Sequence, residues 1–216
     1  MGETNCLTEI RYTLVCDGSS DRMLIPILNW LIESLSDEIA VQAQWADFGR
    51  LRNPPTTLSR KLRYAIELYP CELLFVHRDA EAQSPELRKA EILLALHESE
   101  LSKRAVCVIP VRMSEAWLPL DERAIRMASG SPTSRVRLEL PALKQAEQVA
   151  NPKEMLFQAI RDASGLAGRR LKNLNVHFLR HRVAELMDDR AILRGLPSFK
   201  RLEEDLIAEL RASGWT

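Results

Sequence analysis

The first half of the chain alternates short apolar runs with longer segments whose apolar residues recur at helical spacing. The apolar runs predict strands over residues 11–16, 72–77 and 105–111, and the alternation of apolar and polar residues over 39–46 predicts a further, half-buried strand. Helical spacing over 21–34, 57–69 and 86–101 predicts the helices that lie between the strands. Continuous apolar strands alternating with helices are typical of a parallel sheet covered on both faces. The pattern therefore predicts an α/β fold with a mostly parallel, helix-covered sheet.

The second half of the chain is predicted to be mostly helical. Its apolar periodicity indicates helices over 114–128, 152–163, 177–188 and 198–212, with Gly and Pro residues between them. Residues 130–141 have the composition of a loop. Because the sequence has no long linker, we predict an α/β core over residues 1–128 and a helical extension over 129–216 packed on the same domain.

Composition changes this picture little, but charge adds to it. The 216 residues include 30 basic and 30 acidic side chains, and 46% are hydrophobic, which is ordinary for a globular domain. Residues 1–110 carry 12 basic and 16 acidic residues, whereas residues 111–216 carry 18 and 14. The stretch 161–182 holds six cations against Asp162 alone. A neutral total therefore leaves room for a basic face that binds a polyanion, although a solvated helix surface explains the same charges.

Cysteine usage and the lack of membrane signals predict where the protein works. The four cysteines form no Cys-x-x-Cys pair, and three lie in or against apolar runs, which indicates buried free thiols in a reducing compartment. The sequence contains no window of about 18 apolar residues, so no transmembrane helix is predicted. The first residues also lack the pattern of a secretory signal. We therefore expect a cytoplasmic protein without a membrane partner.

Acidic residues follow three of the four predicted strands. Asp17 and Asp21 come after the first strand, Asp79 and Glu81 after the third, and Glu115 after the fourth. Because parallel strands end at one edge of the sheet, these carboxylates are expected to converge there. Crowded carboxylates are tolerable when a hard cation such as Mg²⁺ or Mn²⁺ neutralises them, and a pair of such ions can clamp a phosphodiester. The competing interpretation is that these acids are ordinary helix caps.

Two of these segments resemble the Toprim domain of topoisomerases, primases and overcoming-lysogenisation-defect nucleases. LVCDGSSD resembles the Toprim strand that ends in an acidic residue and Gly, and VHRDAEA resembles its later Asp-x-Asp. In these nucleases the first acid and one four residues later bind metal, which corresponds to Asp17 and Asp21 here. The Asp-x-Asp corresponds to Asp79 and Glu81. Asp17 replaces the usual Glu, and Glu81 replaces the second Asp, so both acids keep their charge but change their reach.

Further segments are similar to a group of uncharacterised bacterial Toprim-like proteins. They are residues 109–118, IPVRMSEAWL, and the tripeptide 197–199, Pro-Ser-Phe. The resemblance implies phosphodiester chemistry with Mg²⁺ or Mn²⁺, and hydrolysis is its simplest form. It implies a nuclease acting on DNA or RNA, for example as the effector of a bacterial phage-defence system beside a separate ATPase subunit.

The resemblance also implies roles for individual residues. Asp17, Asp21, Asp79 and Glu81 would hold one or two ions, and Glu115 would be a further ligand or the base that activates water. Arg78 and Arg112 would neutralise the scissile phosphate, or else form salt bridges with the same carboxylates. The candidates for contacts with the nucleic-acid backbone are Arg135, Arg137, Arg169, Arg170 and Lys172.

Two other functions fit the same residues. A non-catalytic Toprim-like subunit could keep the sheet and dock a partner ATPase, for which the amphipathic helix at 198–212 would offer an apolar face. A nucleotidyl transferase is a weaker alternative. The oligomeric state and the choice between DNA and RNA do not follow from the sequence.

Overall fold

A four-stranded parallel sheet is the centre of the fold. The structure is a computed structural model that describes residues 8–100 and 104–215. Its strands are β1 (Thr8–Val15), β2 (Ile39–Trp45), β3 (Leu73–His77) and β4 (Arg104–Val108), in the order β2-β1-β3-β4. The connecting helices are α1 (Ile25–Glu33), α2 (Leu58–Leu68) and α3 (Pro85–Glu98). The predicted α/β class with a parallel sheet is confirmed.

The order of the strands reverses between β1 and β3. Leu14 in β1 lies beside Trp45 in β2 on one side and beside Phe75 in β3 on the other, and both pairings are parallel. The chain therefore leaves β1 towards β2 and later returns to form β3 on the opposite side. In open parallel sheets such a reversal leaves a crevice beyond the carboxyl ends of the two strands, where ligands bind.

Apolar side chains cover both faces of the sheet. On one face Tyr12 packs edge-on against Phe75, with ring centroids 5.0 Å apart, and its hydroxyl donates to Oδ1 of Asn29 in α1 at 2.7 Å. On the other face Leu62 of α2 and Ile92 of α3 belong to a fully buried apolar cluster. Burial on both faces explains why the central strand β3 is buried at all its positions, whereas the edge strand β2 is only partly buried.

The described residues divide into two compact units. The sheet unit contains residues 8–78, 83–100, 104–109 and 201–215, and the helical unit contains residues 79–82 and 110–200. The longer segment of the helical unit begins at Pro110, whereas the predicted boundary lay between residues 128 and 129. The division into units also divides the last helix, α8 (Pro197–Ala212), whose residues from Arg201 onwards belong to the sheet unit. There Nζ of Lys89 lies 2.7 Å from the Asp205 carboxylate.

The helical unit is built from four α-helices and three 3₁₀ helices. The α-helices are α4 (Glu122–Ala128), α5 (Pro152–Ser164), α6 (Gly168–Lys172) and α7 (Val176–Leu186). The 3₁₀ helices are Ser114–Leu120, Leu143–Gln148 and Arg190–Gly195. Helix α5 ends at Gly165, whose positive φ of 62° is the left-handed conformation that closes many helices.

Two predicted helices are each divided in the structure. The prediction of one helix over 114–128 is wrong, because a 3₁₀ helix ends at Leu120 and α4 begins after Asp121. Pro119 lacks a backbone N–H, and the Asp121 carboxylate accepts from the N–H of Ala124 at 2.9 Å, so a new helix starts there. The helix predicted over 21–34 is likewise a 3₁₀ helix, Ser19–Leu24, followed by α1.

Three cysteines are buried free thiols, as predicted. They are Cys16, Cys71 and Cys107, whereas Cys6 lies outside the described residues. Burial raises the pKa of Cys107 to about 11, with the neighbouring charges of Lys89 and Asp205 as smaller effects. Over residues 8–100 and 104–215, no helix has both the length and the apolar character needed to span a bilayer.

Candidate functional site

Asp17 follows β1 and presents an exposed carboxylate at the edge of the sheet. Its side chain is 54% exposed. Its Oδ1 lies 2.7 Å from Nζ of Lys61, which α2 supplies, and its Oδ2 lies 3.2 Å from Nε of Arg78, which directly follows β3. Asp17 and Arg78 thus meet where the strand order reverses. The ion-pair interpretation of Arg78 is the one that the structure shows.

Arg78 extends this contact into a short chain of alternating charges. Its Nη1 lies 3.1 Å from Oε1 of Glu91 in α3, and the other Glu91 oxygen lies 2.7 Å from Nη1 of Arg88. The cations Lys61, Arg78 and Arg88 therefore offset the charges of Asp17 and Glu91. The neighbourhood of Asp17 is not an uncompensated cluster of carboxylates.

Asp21 is buried and turned into the protein. Its carboxylate accepts from the backbone N–H of Gly18 at 3.4 Å and from the hydroxyl of Ser20 at 3.1 Å, and Oδ2 lies 3.5 Å from Nδ1 of His77. Burial raises the pKa of Asp21, but the hydrogen bond and charge of His77, together with the Ser20 and Gly18 contacts, outweigh burial and lower the pKa below its usual value. Asp21 therefore occupies the capping position that was the alternative interpretation.

In the helical unit, the acids that follow β3 are held against the segment that follows β4. Oδ1 of Asp79 accepts from the backbone N–H of Ser114 at 2.8 Å, and the N–H of Glu81 donates to the carbonyl of Arg112 at 2.8 Å. Glu81 and Arg112 both have a positive φ, 53° and 62°, which is unfavourable for residues with a Cβ atom. Such conformations concentrate at functional sites. The Arg112 side chain is exposed.

Glu115 lies in the interior of the helical unit. Its carboxylate forms an ion pair with the guanidinium of Arg180, and both side chains are buried. The Arg180 guanidinium also lies 5.8 Å from the ring centroid of Phe157. A carboxylate enclosed in this way does not reach solvent water, so the position does not support the predicted role of Glu115 as a base or metal ligand.

The carboxylates of the described residues do not form a ready-made metal cage. No group of three or more His, Cys, Asp or Glu side chains within residues 8–100 and 104–215 is placed to hold a metal ion. Of the two predicted ligands in the sheet unit, Asp17 presents its carboxylate to solvent, whereas Asp21 is turned inward. Mg²⁺ is commonly bound by one or two carboxylates with water and substrate phosphates completing its shell. Asp17 therefore fits an ion shared with a phosphate, and not one held by protein ligands alone.

An open cleft of about 480 Å³ adjoins Asp17 within the sheet unit. Three side chains in its wall were missed by sequence reasoning: Trp45 and Asp47 at the end of β2, and Lys61. Asp47 follows β2 as Asp17 follows β1, so the strand-end rule could have found it. No sequence signal marks Lys61, because its position depends on how α2 packs.

The floor of this cleft includes a buried thiol. The indole N–H of Trp45 donates to Sγ of Cys16 at 3.3 Å. Burial, with the charge of Asp21 as the next largest effect, raises the pKa of Cys16 to about 12. Cys16 is therefore protonated at neutral pH and belongs to the wall of the cleft rather than to its chemistry.

The predicted backbone-binding cations are all exposed in the helical unit. These cations are Arg135, Arg137, Arg169, Arg170 and Lys172. Within the described part of the chain, none of their side chains forms an ion pair with an acid. By contrast, Arg161 and Arg182 from the same basic stretch pair with Glu154 and Glu185. Three of the exposed cations lie on α6, and α7 exposes the ring of Phe178, which is 59% accessible.

Two segments that carry the family resemblance meet in the helical unit. The indole N–H of Trp117 donates to Oγ of Ser198 at 3.2 Å, and the Trp117 ring packs edge-on against Phe199 with centroids 5.2 Å apart. All three side chains are buried. These residues therefore contribute to the core rather than to a base-stacking surface.

Comparisons of the chain with models of known protein families, with curated proteins and with solved structures found no match in any of the three. The resemblance to Toprim proteins consequently depends on segments 14–21, 76–82, 109–118 and 197–199 alone, and it stays a prediction.

Proposed function

We propose that this protein is a nuclease that hydrolyses phosphodiester bonds of DNA or RNA with Mg²⁺ or Mn²⁺. The observation that carries the proposal is the position of Asp17. It is a half-exposed carboxylate at the carboxyl end of β1, and Lys61 and Arg78 contact its two oxygens. This is the place where ligands bind in open parallel sheets.

The charges around Asp17 suit a phosphodiester. The carboxylate oxygens retain lone pairs for a cation beyond those used by Lys61 and Arg78. The ammonium of Lys61 and the planar guanidinium of Arg78 are donors that bind phosphate oxygens well. A bound divalent ion would lower the pKa of its water ligand and polarise the phosphoryl group. The protein groups orient the phosphate and neutralise its charge.

The proposal extends to residues of the helical unit. Within that unit, Asp79 and Glu81 are assigned as oxygen ligands for a cation and Arg112 as a cation for a phosphate, supported by the fixed Asp79 carboxylate and the two left-handed residues. Glu115 receives no direct role because it is buried against Arg180. The five exposed cations named above would contact the nucleic-acid backbone, since none of them pairs with an acid within residues 8–100 and 104–215.

A cleavage assay with matched variants tests this function. The purified full chain is incubated with single- and double-stranded DNA and RNA in Mg²⁺, Mn²⁺ or EDTA. Metal-dependent cleavage is expected, and Asp17→Asn and Asp79→Ala should each reduce it at least about a hundredfold, the scale for loss of a group that positions transition-state charge. Asp37→Asn is the control, because Asp37 is exposed and precedes β2 rather than following a strand. Unchanged cleavage in Asp17→Asn would contradict the proposal.

A second candidate is favoured by a specific observation. Both oxygens of Asp17 and the carboxylate of Glu115 are engaged by cations, as expected of a Toprim-like subunit that binds without catalysis. Such a subunit would dock a partner ATPase. It predicts that calorimetry shows no Mn²⁺ binding even with a nuclease-resistant phosphorothioate strand present. It also predicts that the tagged chain co-purifies with an ATPase from its native cells.

A further inference from the structure

The cleft beside Asp17 combines three kinds of surface. Its apolar wall consists of Trp45, Phe48 and the adjacent Pro54 and Pro55. Asp47 supplies a carboxylate at the end of β2. The ammonium of Lys61, which contacts Asp17, supplies a cation. The volume of about 480 Å³ lies within the range of small-molecule sites.

Asp47 is held in place by its neighbours and keeps acceptor capacity. Its carbonyl accepts from the hydroxyl of Tyr69 at 3.0 Å, and its Oδ1 accepts from the N–H of Gly49 at 3.0 Å. Its Oδ2 lies 3.5 Å from Nε of Arg50, whose side chain is 92% exposed, so solvent screens this pair. The Asp47 side chain remains 27% exposed. A further donor can therefore reach this carboxylate.

Trp45 gives the cleft a rigid flat wall. Its indole N–H is engaged by Cys16, and the guanidinium of Arg22 lies 5.1 Å from the ring centroid. These two contacts restrain the ring. Rigid aromatic rings are surfaces on which nucleobases stack, whatever the base.

The position of Asp47 at the end of β2 indicates which ligand fits the cleft. In the doubly wound parallel-sheet folds that bind dinucleotides, an acidic residue about 20 residues beyond the first strand's glycine-rich turn accepts a hydrogen bond from the ribose 2′-hydroxyl. A flat apolar body, a pair of hydroxyls and an anion are the parts of one nucleotide. The wall, Asp47 and Lys61 provide one complementary surface for each part.

We propose that this cleft is a ribonucleoside site, in which the apolar wall takes the base, Asp47 accepts from the ribose hydroxyls, and Lys61 faces the phosphate. The inference deepens the proposed function and rests on it in one respect. If the protein cleaves phosphodiesters at Asp17, the neighbouring ribose site makes RNA the preferred substrate over DNA.

Binding of free nucleotides tests the site without requiring cleavage. The ¹⁵N-labelled full chain is titrated, in EDTA, with the four ribonucleoside 5′-monophosphates and their deoxy counterparts. We expect at least one ribonucleotide to shift the Trp45 indole and Gly49 amide signals. The affinity of its deoxy counterpart should be lower by about tenfold or more, since a hydrogen bond to a charged acceptor is lost. Asp47→Asn should reduce this preference, and Asp37→Asn should retain it.

Three results would overturn the inference: no nucleotide binds at millimolar concentration, ribose and deoxyribose forms bind equally, or the preference is unchanged in Asp47→Asn. The comparison of the two sugars on the unmodified protein is decisive even if Asp47→Asn fails to fold. Failure of the cleavage assay alone would remove the proposed nuclease while leaving a ribonucleotide-binding cleft. Cleavage without ribonucleotide preference would remove only the ribose site.

Discussion

The ammonium of Lys61 lies 2.7 Å from one carboxylate oxygen of Asp17, and this contact joins α2 to the end of β1. Asp17 is half-exposed, so the pair contributes little to folding, about 0–1 kcal/mol. Its importance lies in placing a cation and an anion together at the edge of the sheet. When a nucleic acid and its counterions bind, the ammonium of Lys61 can pair with a phosphate and the carboxylate of Asp17 with a cation.

Lys61→Met should weaken nucleic-acid binding while leaving the fold intact. Loss of one phosphate contact should lower the slope of log K against log salt by about 0.7–0.9. The measurement is fluorescence anisotropy with a labelled oligonucleotide at several salt concentrations. Lys89→Met is a matched control, because Lys89 also lies 2.7 Å from an aspartate, Asp205. Equal slopes in the two variants would exclude Lys61 as a phosphate contact.

Replacing the three cations of α6 by alanine should have a larger effect of the same kind. With Arg169, Arg170 and Lys172 removed, the salt slope for a single strand should fall by about 2, at roughly 0.7 per phosphate contact. A control triple variant removes three cations of α8, Lys200, Arg201 and Arg211, and changes the net charge equally. If both triple variants lower the slope alike, the effect is one of net charge rather than of a binding surface.

The buried ion pair between Glu115 and Arg180 predicts a large effect on stability. Arg180→Met leaves a buried carboxylate without its partner and should lower the free energy of unfolding by about 3–5 kcal/mol. The double variant with Glu115→Gln should lose less than the sum of the two single variants, because the uncompensated charge is gone. Both are measured by urea unfolding.

The exposed pair between Arg182 and Glu185 provides the control for this cycle. Arg182→Met should cost no more than about 1 kcal/mol, since solvent screens that pair. Equal costs for Arg180→Met and Arg182→Met would contradict the buried pair. A loss of cleavage in Glu115→Gln without any loss of stability would restore Glu115 as a catalytic candidate.

The lowered pKa of Asp21 predicts that this residue makes a pH-dependent contribution to stability. Its pKa in the folded protein is lowered from 3.8, so the charged form is favoured on folding. This stabilisation is fully present above the unfolded pKa and is lost as the pH falls below 3.8 through the folded pKa. Asp21→Asn should therefore be less stable than the parent near neutral pH, and the difference should shrink on acidification. Denaturant unfolding from pH 7 to pH 3 measures it, with Asp37→Asn as the control for an exposed carboxylate.

The sheet was predictable because its signals are local. The central strand β3 is an apolar run buried at every position, whereas the edge strand β2 alternates apolar with polar residues, and both patterns are readable over a few residues. The helix boundaries around Asp121 were not predicted correctly, since apolar periodicity continues through Pro119 although the backbone hydrogen bonds do not. The switch from a 3₁₀ helix to α4 depends on a side-chain cap that competes with continuation.

The candidate site was predictable in position but not in pairing. Strand ends locate Asp17 and Asp79, and the same rule would have located Asp47. It gives no information about which cation lies beside each acid. Lys61 is 44 residues from Asp17 and Arg180 is 65 residues from Glu115, so both pairs depend on how the helices pack. Sequence reasoning therefore overestimated the free negative charge around Asp17 and around Glu115.

The path of the chain between the two units limits how the protein can be divided. The backbone passes from one unit to the other after Arg78, again after residue 82, after Ile109 and after Lys200, so each unit is assembled from non-consecutive pieces. A truncation after residue 128 would delete Leu206 and Leu210, which are fully buried. No single cut leaves either unit with all of its residues, so the sheet unit requires the first and last segments of the chain together.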